Sequence, residues 1–126
     1  MRAIDTNVLV RLIVRDDAQQ AESAESFVEG GAWVSVLTLF DAAWRLSKDY
    51  DLSAKQLADA IGMLLNHRNL VLQDSDAVRA ALELFQHKPS LGFSDCLILQ
   101  LARKAGHLPL GTFDRNLARV DGAQRL

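Results

Sequence analysis

The sequence predicts an α/β chain: a three-layer α/β/α sandwich around a short central parallel sheet, in a single domain spanning residues 1–126. Three observations predict it. Short apolar runs alternate with longer segments whose apolar residues recur every three or four positions, the pattern of buried strands alternating with amphipathic helices. Breakers are sparse, with two prolines and seven glycines, so helix should dominate. The chain of 126 residues is long enough for one domain with a genuine core.

Taken in order, "RAID" at residues 2–5 reads as a short buried strand. "TNVLVRLIV" follows as a helix capped by Thr6 or Asn7. Residues 17–31 form a polar surface helix that Gly30 and Gly31 should end. "AWVSV" is a second strand, and "LTLFDAAWRLSKDY" the helix after it. Ser53 and Gln56 have capping-box spacing and open a helix over residues 53–67. "LVLQ" is a third strand, followed by a helix over residues 75–87. Pro89 and Gly92 mark a loop. A helix over residues 94–106 then closes at Gly106, "LPLGTF" is a fourth strand, and "DRNLARV" a short last helix. In a parallel sheet the carboxyl ends of all strands share one edge, where ligand sites collect.

Composition excludes little but helps. An apolar fraction of 49% with 24% charged residues is that of an ordinary globular protein. No apolar run approaches the roughly 20 residues that span a bilayer. Asp5 and Arg11 interrupt any signal-peptide core, and one cysteine, Cys96, permits no internal disulfide. A cytoplasmic location is therefore expected. The net charge of −2 argues against a protein that wraps DNA electrostatically. Setting four acids aside for a metal, however, leaves 14 basic residues against 12 acidic ones.

The acids are the informative feature. Asp5 ends the first strand, and Asp114 stands just past the fourth. Asp41 falls in the first turns of the helix after the second strand, beside Leu37 and Trp44. Asp95 opens the helix that leads into the fourth strand, beside Ile98, Leu99 and Ala102. All four are expected on one rim, with Asp41 and Asp95 on faces that should be buried. Buried, clustered carboxylates are costly unless a cation neutralises them. Oxygen donors without nearby His or Cys select Mg²⁺ or Mn²⁺ over zinc. Each acid also has a plainer reading. Asp5 and Asp114 could be helix caps, Asp41 could pair with Arg45 one turn on, and Asp95 could complement a helix dipole.

The segments "IDTNVLV", "LTLFDAAWRL", "FSDCLILQLAR" and "GTFDRNLAR" together resemble the PIN-domain family of metal-dependent ribonucleases, particularly VapC-type toxins of bacterial toxin–antitoxin pairs. The resemblance runs from Ala3 to about Arg119. It implies a PIN-like fold and assigns Asp5, Asp41, Asp95 and Asp114 to the metal-binding and catalytic quartet. Thr6, Asn7 and Thr112 match the polar residues supporting it. Two positions depart from the pattern. The family usually has Glu at position 41, and many members carry a further acid where this chain has Asn116. One or two ions are thus implied.

The implied reaction is hydrolysis of RNA phosphodiester bonds by water activated at the metal. Arg115, next to Asp114, is the leading candidate for holding RNA, ahead of Arg11, Arg15 and Arg45, which read as helix residues. The resemblance also implies a small antitoxin as partner and a homodimer, and the lack of a spanning apolar run leads us to expect no membrane association. Leu39, Phe40, Leu46, Ile61, Leu64 and Leu65 could line a groove for a partner. Cys96, Trp33 and Trp44 read as core, and His67, His87 and His107 as helix-end residues.

Other functions fit less well. A response-regulator receiver could use Asp74 and Lys88, but Lys88 follows a helix rather than a strand, and Asp5 lacks an acidic neighbour. A haloacid dehalogenase-type phosphatase wants an acid where Asn7 stands. A PIN fold that binds an antitoxin or RNA but cuts poorly remains the alternative, kept open by Asp41 and Asn116.

Overall fold

The computed structural model describes residues 1–126. It comprises two compact units, residues 1–75 and 76–126. Helices joined to short parallel strands make it an α/β protein, as the alternating pattern predicts.

The first unit holds β1 (Arg2–Ala3), α1 (Thr6–Ile13), α2 (Ala18–Val28), β2 (Ala32–Val34), α3 (Val36–Lys48), α4 (Ala54–Asn66) and β3 (Leu70–Leu72). The strands pair in the order β1-β2-β3, all parallel, with Ala3 opposite Trp33 and Val34 opposite Leu72. Two helices fill each crossover. α1 packs on α2 and α3, and α4 packs on α3 and β3. The core of this unit is apolar, with Leu9, Val28, Val34, Leu39, Leu46 and Ile61 almost fully buried.

Local signals explain most helix ends. Ser53 Oγ accepts from the Gln56 N–H at 3.1 Å while Gln56 returns the bond to the Ser53 N–H at 2.9 Å, completing the capping box. Gly31 adopts φ +94° where α2 has ended. α1 departs from expectation at its start. Its cap is Asp5, not Thr6 or Asn7, because the Asp5 carboxylate accepts from the Val8 N–H at 3.1 Å.

Three expectations about burial fail in this unit. β1 is only two residues long, and both are exposed. Trp33 and Trp44 are not core residues, being 38% and 55% exposed. Four of the proposed groove residues, Leu39, Leu46, Ile61 and Leu64, are core instead, while Phe40 and Leu65 are half-buried. Amphipathic helices that pack on each other consume those side chains, leaving Leu37, Trp44 and Met63 outside.

The second unit comprises α5 (Ser75–His87, entering it from Asp76), a 3₁₀ turn at Pro89–Leu91, α6 (Phe93–Ala105), β4 (Leu110–Thr112), a 3₁₀ turn at Leu117–Arg119 and β5 (Ala123–Arg125). Phe85 and Phe93 meet edge to face, with ring centroids 6.0 Å apart. Gly106 closes α6 in the left-handed conformation, φ +82°. Cys96 is fully buried core, as expected. The fourth strand does not extend the first sheet. β4 pairs in parallel with β5, a strand the sequence did not announce, with Thr112 opposite Arg125. The predicted last helix shrinks to the single 3₁₀ turn at Leu117–Arg119.

Candidate metal centre

Asp5, Asn7, Asp41 and Arg45 belong to the first unit. Asp5 is exposed, and its capping bond leaves carboxylate acceptor capacity unspent. Thr6, half-buried, makes no side-chain hydrogen bond. Arg45 extends from α3 to α1, where its Nη1 donates to Asn7 Oδ1 at 2.7 Å. Its Nε lies 3.6 Å from Asp41 Oδ2, realising the one-turn ion pair. Arg45 therefore links two of the predicted residues, Asn7 and Asp41, where the sequence offered it only as a pairing partner for Asp41 and a lesser RNA contact. Only the Asp41–Arg45 spacing signalled it. Asp41 itself is half-buried, with 42% of its side chain exposed, so the predicted burial is corrected.

Asp95, Thr112, Asp114 and Asn116 belong to the second unit. Asp95 lies in the first turn of α6, half-buried. Asp114 follows β4 in a turn held by three bonds. Its N–H donates to Thr112 Oγ1 at 3.0 Å, and its Oδ1 accepts from the N–H groups of Asn116 and Leu117 at 2.8 and 3.1 Å. Asn116 Nδ2 donates to Ser90 Oγ at 3.0 Å, a supporting contact with no sequence signal. Burial raises the Asp95 carboxyl above its ordinary value, and the charge of Asp114 raises it further. No lysine or arginine pairs with either acid.

This unrelieved repulsion fits a hard divalent cation. The donors are all carboxylate, amide or hydroxyl oxygens. The one thiol nearby in sequence, Cys96, is pushed up to about 11 by burial and then by Asp95, so it stays protonated. Nowhere do three or more acidic, histidine or cysteine side chains gather as a metal-holding group. His67 and His87 instead bond backbone at helix ends, His67 Nδ1 accepting from the Asn69 N–H and His87 Nδ1 meeting Glu83 O at 2.8 Å. His107 is exposed just past α6. Arg11 and Arg15 are likewise occupied, pairing with Asp16 and Glu25 at 2.8 Å each.

The family model for the PIN domain matches residues 3–123. The chain belongs to the PIN domain family. That match includes all four predicted acids and most of each compact unit. Comparisons with curated proteins and with solved structures gave no match. PIN domains are generally nucleases and typically use divalent metals, so this PIN domain has a nuclease-type fold. None of its helices is long and apolar enough to cross a membrane.

The strained acid pair of this PIN domain has a measurable consequence. Asp95→Asn is expected to stabilise the metal-free protein slightly at neutral pH. The folded state holds the Asp95 proton more tightly than the unfolded chain, so stability is lost as pH rises through the raised folded value. Once pH falls below the ordinary carboxyl value of 3.8, both variants carry a neutral side chain and the difference closes. Thermal melts in EDTA across that range check this. A variant less stable than wild type at neutral pH contradicts it.

Proposed function

We propose that this PIN domain is a metal-dependent endoribonuclease, the toxin of a VapC-type toxin–antitoxin pair. The observation that carries the reading is the Asp95–Asp114 pair, two acids that no lysine or arginine pairs with. Both lie inside the span matched to the PIN domain, and the sequence resemblance assigns both to the metal-binding quartet. Asp5, Asp41, Asp95 and Asp114 are proposed to hold one or two Mg²⁺ or Mn²⁺ ions. The bound ion supplies a lowered water pKa and neutralises charge during in-line displacement at phosphorus.

This chain's own residues then have distinct tasks. Thr112 and the turn after it fix the Asp114 carboxylate through the bonds to Asn116 and Leu117. Asn7 holds Arg45, and Arg45 steadies Asp41. Arg115, exposed and unpaired, is proposed to hold a phosphate of the RNA. A cleft of about 400 Å³ beside Asp5, whose lining includes Val8, Ala24 and Phe27, suits an apolar side chain of an antitoxin. Exposed Leu37, Trp44 and Met63 suit a homodimer contact.

A second reading is favoured by one contact. Asp41 is one methylene shorter than the usual Glu and is already engaged by Arg45. A weakly cutting module that binds an antitoxin or RNA follows if that pairing outcompetes the metal. Incubating the purified protein with a mixed pool of structured RNAs in Mg²⁺, Mn²⁺ or EDTA separates the readings. The nuclease reading expects metal-dependent cleavage that Asp5→Asn abolishes. Cleavage by neither protein supports the module, and equal cleavage by both marks a contaminant.

A further inference from the structure

We propose that the carboxyl edge of β4 and β5 binds single-stranded RNA, with Phe113 as a base-stacking platform and Arg125 as a phosphate contact beside Arg115. This rests on the ribonuclease reading and adds two residues that the family pattern does not assign.

Phe113 is 81% exposed, more than any other large apolar side chain of the chain. A lone exposed apolar residue is ordinary in itself. Phe113 differs because the backbone on both sides of it is fixed. Thr112 O accepts from the Leu126 N–H at 3.0 Å, Thr112 Oγ1 accepts from the Asp114 N–H, and the Asp114 carboxylate pins the two N–H groups that follow. A ring carried on a backbone held this way needs no ordering of the main chain when a flat partner covers it.

The surrounding charge specifies that partner. Because β5 runs parallel to β4 with Thr112 opposite Arg125, Arg125 reaches the same edge as Asp114. Arg115 lies one residue past Asp114. Both arginines are exposed, and neither side chain makes a hydrogen bond or ion pair. Arg2, Arg11, Arg15, Arg45 and Arg103 are engaged within the protein. Arg68, Arg79 and Arg119 are also exposed without a partner, and it is their place at the carboxyl edge of β4 and β5 that sets Arg115 and Arg125 apart. An exposed aromatic face with two uncommitted guanidinium groups matches a strand with unpaired bases and a phosphate backbone. A duplex keeps its base faces covered and could not use the ring. The acids Asp95 and Asp114 explain why the ligand would lie here, since a bound strand passes the proposed metal ligands.

Short single-stranded RNAs, each carrying 2-aminopurine at one position, test this with full-length protein in EDTA, where binding is read without cleavage. Wild type is expected to bind and to quench the fluorescence of at least one position. Phe113→Ala should weaken binding about 10-fold or more and lose the quench, the loss of one base–aromatic stack. Phe113→Trp should retain both. Arg125→Gln should reduce the salt dependence of binding by about 0.7 in the log–log slope, the signature of one lost contact on a single strand. Equal binding and quenching by Phe113→Ala overturns the proposal while leaving the nuclease reading intact. An altered molecular mass for Phe113→Ala with unchanged RNA binding also overturns it, assigning the ring to a second copy of the chain. Failure of wild type to bind any of these RNAs overturns the proposal, while the nuclease reading is decided separately by the metal-dependent cleavage assay.

Discussion

Asp114→Asn is expected to lower RNA cleavage at least about 100-fold while leaving stability nearly unchanged. The floor comes from metal sites in general, where losing an outer-shell partner alone costs about 10–100-fold. Asparagine keeps the Oδ1 that accepts from the Asn116 and Leu117 N–H groups, so the turn after β4 survives. It removes only the charge, together with the repulsion that Asp95 feels. Asp114→Ala should be equally inactive but less stable by about 1 kcal/mol, because those two N–H groups lose their acceptor. The pair of variants separates the electrostatic role of the carboxylate from its structural one. Cleavage rates and urea midpoints check both halves. An active Asp114→Asn would reduce this residue to a turn cap.

The largest effect on stability should come from Leu9→Ala. Leu9 is fully buried in α1, the helix that Asp5 caps and that packs against both α2 and α3. Truncation there removes the transfer free energy and leaves a cavity between helices, costing about 2–5 kcal/mol. Against a total of about 5–15 kcal/mol, that is a large share. Leu37→Ala, at a position 76% exposed, should change stability by no more than about 0.5 kcal/mol. Urea unfolding with an unchanged slope and a lowered midpoint for Leu9→Ala alone is the expected pattern. Equal midpoints for the two variants would contradict the packing described for the first unit.

Much of the fold was legible where the deciding forces are local. The Ser53 capping box, the glycine stops at Gly31 and Gly106, and the bounds of α5 all depend on residues within a turn of the feature. The fate of β4 was not local. "AQR" at residues 123–125 has no β-branched or aromatic residue. It is a strand because backbone bonds from Leu110 N–H to Gly122 O and from Leu126 N–H to Thr112 O make it one.

The candidate site was legible in residue type and misread in burial. α3 carries two apolar stripes. Leu39, Ala42, Ala43 and Leu46 form the buried one, whereas Leu37 and Trp44, the wheel neighbours of Asp41, belong to the outer one. A helical wheel cannot rank two such stripes. Ile98 misled similarly beside Asp95, being 42% exposed. Arg125 was missed because only the unannounced strand brings it to Asp114's edge.

Equilibrium titration of Mn²⁺ into wild type, Asp5→Asn and Asp114→Asn tests the central claim most directly, because it reads the carboxylates as ligands without requiring the right RNA. Asparagine preserves the capping acceptor at both positions, so folding is not at issue. The account predicts saturable binding of one or two ions by wild type and at least about 10-fold weaker binding by each variant. Unchanged affinity in both variants, or no binding by wild type, would contradict it.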